Sequence, residues 1–224
     1  MMRVVAVAVL LILTGCSGLF HSNAPPEQVY YLQAHAPTPE GARPAQPGHL
    51  TSVRVGRPVP GPGLESSHIV LLESDRRMSF YKASRWPAAL PDVVEELTTQ
   101  VLRASGAWSD VQSSDSVFPS DYLLQIRIRR FDADYSSGAA ERSGSAPEAH
   151  VVLDCTLGRR DGREVIATFA VEGTAAASAN RLSNVVAAFE EATNVALSSL
   201  AAHAVDAAKA SDQKVDKPVT SITR

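Results

Sequence analysis

Two periods of apolar residues divide the chain. Tyr122, Leu124, Ile126 and Ile128 alternate with Leu123, Gln125, Arg127 and Arg129, which is the two-residue period of a strand with one buried face. Past Arg130 the apolar set resumes one residue out of phase at Phe131, Ala133 and Tyr135, and a bulge near Arg129-Arg130 would restore the facing. Val151, Leu153, Cys155 and Leu157 form a second inward set, and Val165, Ala167, Phe169 and Val171 a third. Between those two stands Arg160-Asp161-Gly162-Arg163, where Asp-Gly flanked by alternating runs signals a hairpin. Ser136 to Pro147 is small and polar and reads as a mobile hairpin tip. The pattern predicts three adjacent antiparallel strands.

The second period is helical. Leu90, Val93, Val94, Leu97 and Val101 fall at three-and-four spacing, with Pro91 in the first turn, where a helix tolerates it. Glu95, Glu96, Thr99, Gln100 and Arg103 are expected on the solvent side, and Gly106 is a natural stop. From about Asn180 a second helical face collects Leu182, Val185, Val186, Phe189, Ala192, Val195, Ala196 and Leu200. Its many small residues allow close packing on a sheet.

Shorter β-prone runs precede these. Val29-Tyr30-Tyr31-Leu32 reads as a first strand, Leu50 to Val59 and Ile69 to Leu72 as two more, and Trp108 with Val111 opens another. Pro60-Gly61-Pro62-Gly63 is a turn on composition, and the Pro/Ala/Gly stretch from Ala36 to Gly48 is a loop. The sum is six or seven strands, mostly antiparallel, and two amphipathic helices. That is an α+β two-layer sandwich, one domain over residues 29–209, with a charged aperiodic tail expected to be disordered over 210–224.

The first residues are of another kind. Arg3 heads an uncharged apolar run, Val4 to Leu13, that ends in Leu13-Thr14-Gly15-Cys16. The run is too short to span a bilayer, which takes about 20 residues, and reads as a cleaved secretory signal over residues 1–15. Leu-Thr-Gly-Cys resembles the bacterial lipobox, in which the cysteine becomes the acylated, palmitate-bearing first residue of a lipoprotein; the alternative is an ordinary signal with a chance cysteine. Stable anchoring takes more than one acyl chain. Ser17, in place of the Asp that in such lipoproteins marks inner-membrane retention, leans toward the outer membrane. Residues 16–28, with Pro25-Pro26, then read as a tether.

Composition excludes more than it assigns. At 224 residues and a formal charge of -3 the chain calls for no polyanion partner. An acylated Cys16 leaves only Cys155, so no internal disulfide can form. The six histidines lack metal-ligand spacing, and no nucleophile elbow, Walker loop, dinucleotide fingerprint or Cys-x-x-Cys is present. No catalytic residue, cofactor or metal is expected. Arg127, Arg129 and Arg130 with Arg159, Arg160 and Arg163, interleaved with Asp132, Asp134, Asp161 and Glu164, read either as a mixed-charge solvent face or as a docking patch for an acidic partner or lipid head groups. Tyr81 and Trp86, beside Arg85, read either as core anchors or as partner contacts.

Taken in order, the lipobox, Tyr30-Tyr31-Leu32, the Pro/Gly turn with Leu64, Tyr81 before Arg85-Trp86, the helix ending in Gly106-Ala107-Trp108-Ser109-Asp110-Val111, the strands and the Ala-rich closing helix resemble the ABC-type transport auxiliary lipoproteins. This is the group that includes the Pqi-system lipoprotein. Members often carry Tyr-Leu-Asp-Arg after the turn, whereas Gly63-Leu64-Glu65-Ser66 stands here. The resemblance implies a non-enzymatic outer-membrane lipoprotein on the periplasmic side. It would dock the MCE-domain periplasmic protein of an ABC permease/ATPase complex that moves lipids between the membranes. A pilotin or assembly lipoprotein of another envelope machine, and an envelope enzyme with a cryptic site, are the competing expectations.

Overall fold

The computed structural model describes residues 26–35, 50–136 and 145–215. Cys16, most of the tether, the tip of the expected hairpin at 137–144 and the tail beyond Val215 lie outside the described residues. In chain order the elements are β1 (Gln28–Val29), β2 (Leu50–Val55), β3 (Val59–Pro60), β4 (His68–Leu72), β5 (Met78–Arg85), α1 (Leu90–Ala104), β6 (Trp108–Gln112), β7 (Tyr122–Asp134), β8 (Glu148–Arg159), β9 (Glu164–Ala176) and α2 (Leu182–Val215). The architecture is an α+β sandwich, with a mixed sheet and both helices packed against it and against each other.

β7 organises the sheet. Along one edge it pairs antiparallel with β8 over its whole length, and β8 pairs antiparallel with β9. These are the three strands predicted from alternation. The register slips between Ile128 and Arg130, so the phase change read from the sequence is a bulge that keeps Phe131 and Ala133 buried. The turn from β8 to β9 is a four-residue loop, Arg160 to Arg163, in which Gly162 takes φ 77°. The other edge of β7 is parallel, taking β2, β3 and β4 one after another, while β6 adds to β2 and β5 to β4. The antiparallel ladders hold most of the paired residues; the parallel edge is a mosaic of short ones.

Several elements depart from the pattern. β5 was not expected as a strand, because its largest apolar residues, Met78 and Phe80, stand on the exposed side. It bulges between its pairings at Phe80 and Arg85, with Ala83 at φ 50°. β1 covers only Gln28–Val29, and Tyr30 continues the edge by donating its N–H to the Arg85 carbonyl at 2.9 Å.

On α1, Glu95 and Thr99 are buried rather than solvated. The turn after β6 closes over that side, with Ser114 N–H donating to Glu95 Oε1 at 2.7 Å. Arg103 likewise reaches the Val111 carbonyl at 2.9 Å. Val165 is 62 % exposed because a register slip opposite Leu157 and Gly158 turns it outward. Val195 is exposed, and its place on the buried stripe of α2 goes to Ala188 and Leu197. The same helix continues to Val215, so residues 210–215 of the expected tail belong to it.

Small residues let α2 sit close. A Cβ on Gly173 of β9 would meet the backbone of Ala192 and Ala196. Trp86, Phe131 and Phe189 form the aromatic centre of the core: the indole stands edge-on to both rings, at 5.9 and 5.5 Å, and the two phenylalanines stack.

Candidate functional site

Two surfaces could carry an interaction, one at each end of β7. The first is where the N-terminal segment joins the fold. Glu27 pairs with Arg85 Nε at 2.7 Å, and β1 then runs parallel to the end of β5. The segment goes on to α2, where Gln33 N–H donates to Glu190 and His35 N–H donates to Asn194 Oδ1 at 2.8 Å. Asn194 Nδ2 donates back to the Gln33 carbonyl at 3.1 Å. Because β1 runs parallel to β5 and so antiparallel to β7, the chain that precedes Gln28 leaves toward the Asp134 end of the sheet.

Of the residues singled out from the sequence, Arg85 therefore fastens this strap. Tyr81 is half-buried, its hydroxyl 2.9 Å from that of Tyr135, which donates to Asn180 Oδ1 at 2.7 Å. Burial, and then the hydrogen bond to Tyr135, raise the Tyr81 phenol well above its ordinary pKa. Of the two readings of Trp86 the core anchor holds and the partner contact does not: at 1 % exposure, enclosed by Phe131 and Phe189, it offers no surface.

The second surface is the sheet face turned away from the helices, near the Tyr122 end. Two depressions of about 450 and 490 Å³ share Leu123, Gln125 and Thr156 as floor. They form one groove across β3, β7, β8 and β9. Val59 and Arg127 border one side, Val165, Arg160 and Arg163 the other. Part of the arginine set is already satisfied. Arg57 pairs with Asp92 at 2.7 Å, Arg129 with Asp154 at 3.5 Å, and Arg159 with Asp212 while also donating to the Tyr122 hydroxyl. Arg127, Arg160 and Arg163 are exposed and have no ion-pair partner among the described residues.

Above the same end, the β6–β7 loop crosses β2 and is tied down by Arg54, which donates to the Phe118 carbonyl, and by Gln112, which donates to the Pro119 carbonyl at 3.1 Å. It holds Val117 and Phe118 in solvent, at 89 and 69 % exposure. The arginines of the rim belong to the set singled out in the sequence, whereas the apolar floor of the groove and this loop are legible only in the structure. The Val-Phe pair inside a polar stretch was the available signal for the loop.

Chemistry is sparse elsewhere. The cluster that would suggest a cryptic enzyme is Arg130, Asp132 and Asp134. Arg130 donates to both Asp132 oxygens at 3.0 and 2.7 Å and to Asp134 Oδ2 at 2.9 Å, while Ser136 donates to Asp134 Oδ1. With every carboxylate oxygen engaged, the pair offers no free base. Burial pushes the Asp134 carboxyl up, but the bonds from Ser136 and Arg130 outweigh it and hold it below its ordinary range. Cys155 is buried, and burial followed by nearby Asp154 pushes its thiol up to about 12, the opposite of a reactive thiolate. Among the described residues no three His, Cys, Asp or Glu side chains converge as metal ligands, and no helix is long and apolar enough to cross a membrane.

A family model described as the ABC-type transport auxiliary lipoprotein component matches residues 30–201. Among solved structures, a Xanthomonas campestris protein assigned to the family DUF330 superposes with a TM-score of 0.72 at 22 % identity, over 83 % of this chain and 99 % of that one. A second, uncharacterised protein gives a TM-score of 0.54 at 10 % identity, over 86 % of this chain and all of that one. At such identities the likeness is one of fold. A comparison with curated proteins gives no match.

Proposed function

Since the chain belongs to the ABC-type transport auxiliary lipoprotein family, we propose that it is the non-enzymatic lipoprotein subunit of an MCE-type ABC system. In this reading it is anchored in the outer membrane through Cys16 on the periplasmic side and docks the periplasmic MCE-domain protein. ATP hydrolysis and lipid passage belong to the other subunits. The observation that carries the reading is the family match, which spans the folded domain from Tyr30 to Ala201. The saturated Arg130 cluster and the inert Cys155 support a binding role over a catalytic one. The strap of residues 27–35 supports a tethered role, because it fixes where the anchored segment enters the sandwich.

Tagged full-length chain, solubilised from membranes in mild detergent, is expected to bring down the MCE-domain protein encoded beside it. The Cys16→Ser chain is expected to fold and to leave the outer-membrane fraction. Failure to recover the MCE-domain protein, or unchanged outer-membrane recovery of Cys16→Ser, overturns the reading. Permease, ATPase and MCE-domain genes alongside separate it from a pilotin.

A further inference from the structure

We infer that the groove on the open face of the sheet is the docking surface for a partner, and that its occupant is an extended acidic segment of a partner protein. The inference rests on the reading above, for which it names the face. The groove crosses β3, β7, β8 and β9, and three inter-strand spacings make it about 15 Å long, room for four or five extended residues.

Its surface is amphipathic. Leu123 lies on the floor with Gln125 and Thr156, and Val59 and Val165 stand exposed at opposite rims. Its charge leans positive, because the rim keeps Arg127 at one side and Arg160 and Arg163 at the other without ion-pair partners among the described residues, against Asp161 and Glu164 and an Asp154 already 3.5 Å from Arg129. Guanidiniums in that state favour carboxylates and steer an acidic partner toward the face.

Two features select a polypeptide over lipid head groups. The cations flank an elongated, partly apolar floor instead of converging on one point as a single phosphate requires. The groove also occupies the Tyr122 half of β7, whereas Glu27 enters β1 from the Asp134 side. Glu27 and the groove are thus at opposite ends of the sheet.

The test is biolayer interferometry between the purified full chain and the MCE-domain protein encoded with it, at 50 and 300 mM NaCl. Arg127→Glu/Arg160→Glu/Arg163→Glu is compared with wild type and with Arg181→Glu, an exposed charge at the start of α2, after matched melting curves confirm folding. The expected result is at least a tenfold rise in Kd for the triple variant, loss of the salt dependence seen in wild type, and no change for Arg181→Glu. The milder Arg→Gln triple should fall between. Binding by wild type that the triple variant matches overturns the groove and leaves the functional reading standing. No binding by wild type overturns both. Flotation of the Cys16→Ser chain with phosphatidylethanolamine/phosphatidylglycerol vesicles that the triple variant abolishes assigns the arginines to head groups and overturns the polypeptide.

Discussion

Replacing Gly173 by alanine tests the seating of the long helix on the sheet. In an ordinary strand interior the exchange should stabilise by about 0.5–1 kcal/mol, because glycine loses more backbone entropy on folding. Here a Cβ on residue 173 would stand 2.9 Å from the Ala192 carbonyl carbon and 3.0 Å from the Ala196 nitrogen, and closer still to the Ala192 oxygen. Ordinary contact begins near 3.5 Å, so α2 must lift or β9 must bow. The obstructing atoms are helix backbone, which cannot rotate aside as a side chain could. Overpacking costs roughly 1–3 kcal/mol, and this geometry belongs at the upper end. For a domain of this size about 3 kcal/mol lowers Tm by about 6–12 °C. Urea denaturation followed by far-UV circular dichroism should show a lower midpoint at unchanged slope. Ala192→Gly should not rescue the variant, because the clash is with a carbonyl that glycine retains. A Gly173→Ala protein as stable as wild type, or more stable, refutes the close approach of α2 to β9.

Trp86→Ala empties the centre of the aromatic cluster and should cost about 3–5 kcal/mol in the same denaturation assay; a loss under about 1 kcal/mol would contradict its core role. Cys155, buried with its thiol pushed up to about 12, should resist iodoacetamide in the native protein and react fully in urea, as mass spectrometry would show. Asp121 accepts from Ser52 Oγ at 2.6 Å and Ser52 N–H at 3.0 Å, and these bonds hold its carboxyl below the ordinary range. A depressed folded pKa gives stability that is present above the unfolded value near 4 and lost as pH falls through the folded one. Asp121→Asn should therefore be less stable than wild type at pH 7 and closer to it at pH 3; equal gaps in urea midpoint at the two pH values would refute the assignment.

What could be read from the sequence was local. The alternation at Tyr122 to Ile128 and its slip at Arg129-Arg130 need only neighbouring residues and the period of a strand, and both appear at those residues. The parallel edge of β7 could not be read this way. β2, β3 and β4 meet β7 across some 60 to 70 residues of chain, and nothing in Val53 or Leu71 names the partner strand. Glu95 shows a different limit. Helical spacing gives the centre of the apolar stripe, but its width depends on what wraps it, and the turn at Ser114 buries a side chain that the pattern places in solvent. The rim arginines of the groove could be picked out as a charged set, but its apolar part could not, since Val59, Leu123 and Val165 lie on separate strands and meet only through sheet pairing and a bulge.

The two ends of β7 differ in what holds them. At the Asp134 end the N-terminal segment is fastened by a two-residue strand, an exposed Arg85–Glu27 pair and a few bonds with Glu190 and Asn194. An exposed pair contributes at most about 1 kcal/mol, so what holds this strap is chiefly Leu32, buried in the core with Tyr30 and Ala34 packed against it. At the Tyr122 end the groove is floored by β7 and β8, whose ladder is matched in length only by that of β8 and β9. Behind it the last turns of α2 are pinned through Asp212 to Tyr122 and Arg159, with Tyr122 donating to Asp212 Oδ1 at 2.6 Å. Local opening free energy rises with buried, hydrogen-bonded structure, so the two-residue β1 opens before the β7–β8 ladder that floors the groove. In the proposed docking role, that order would leave the positions of Arg127, Arg160 and Arg163 relative to one another unchanged when the N-terminal segment moves.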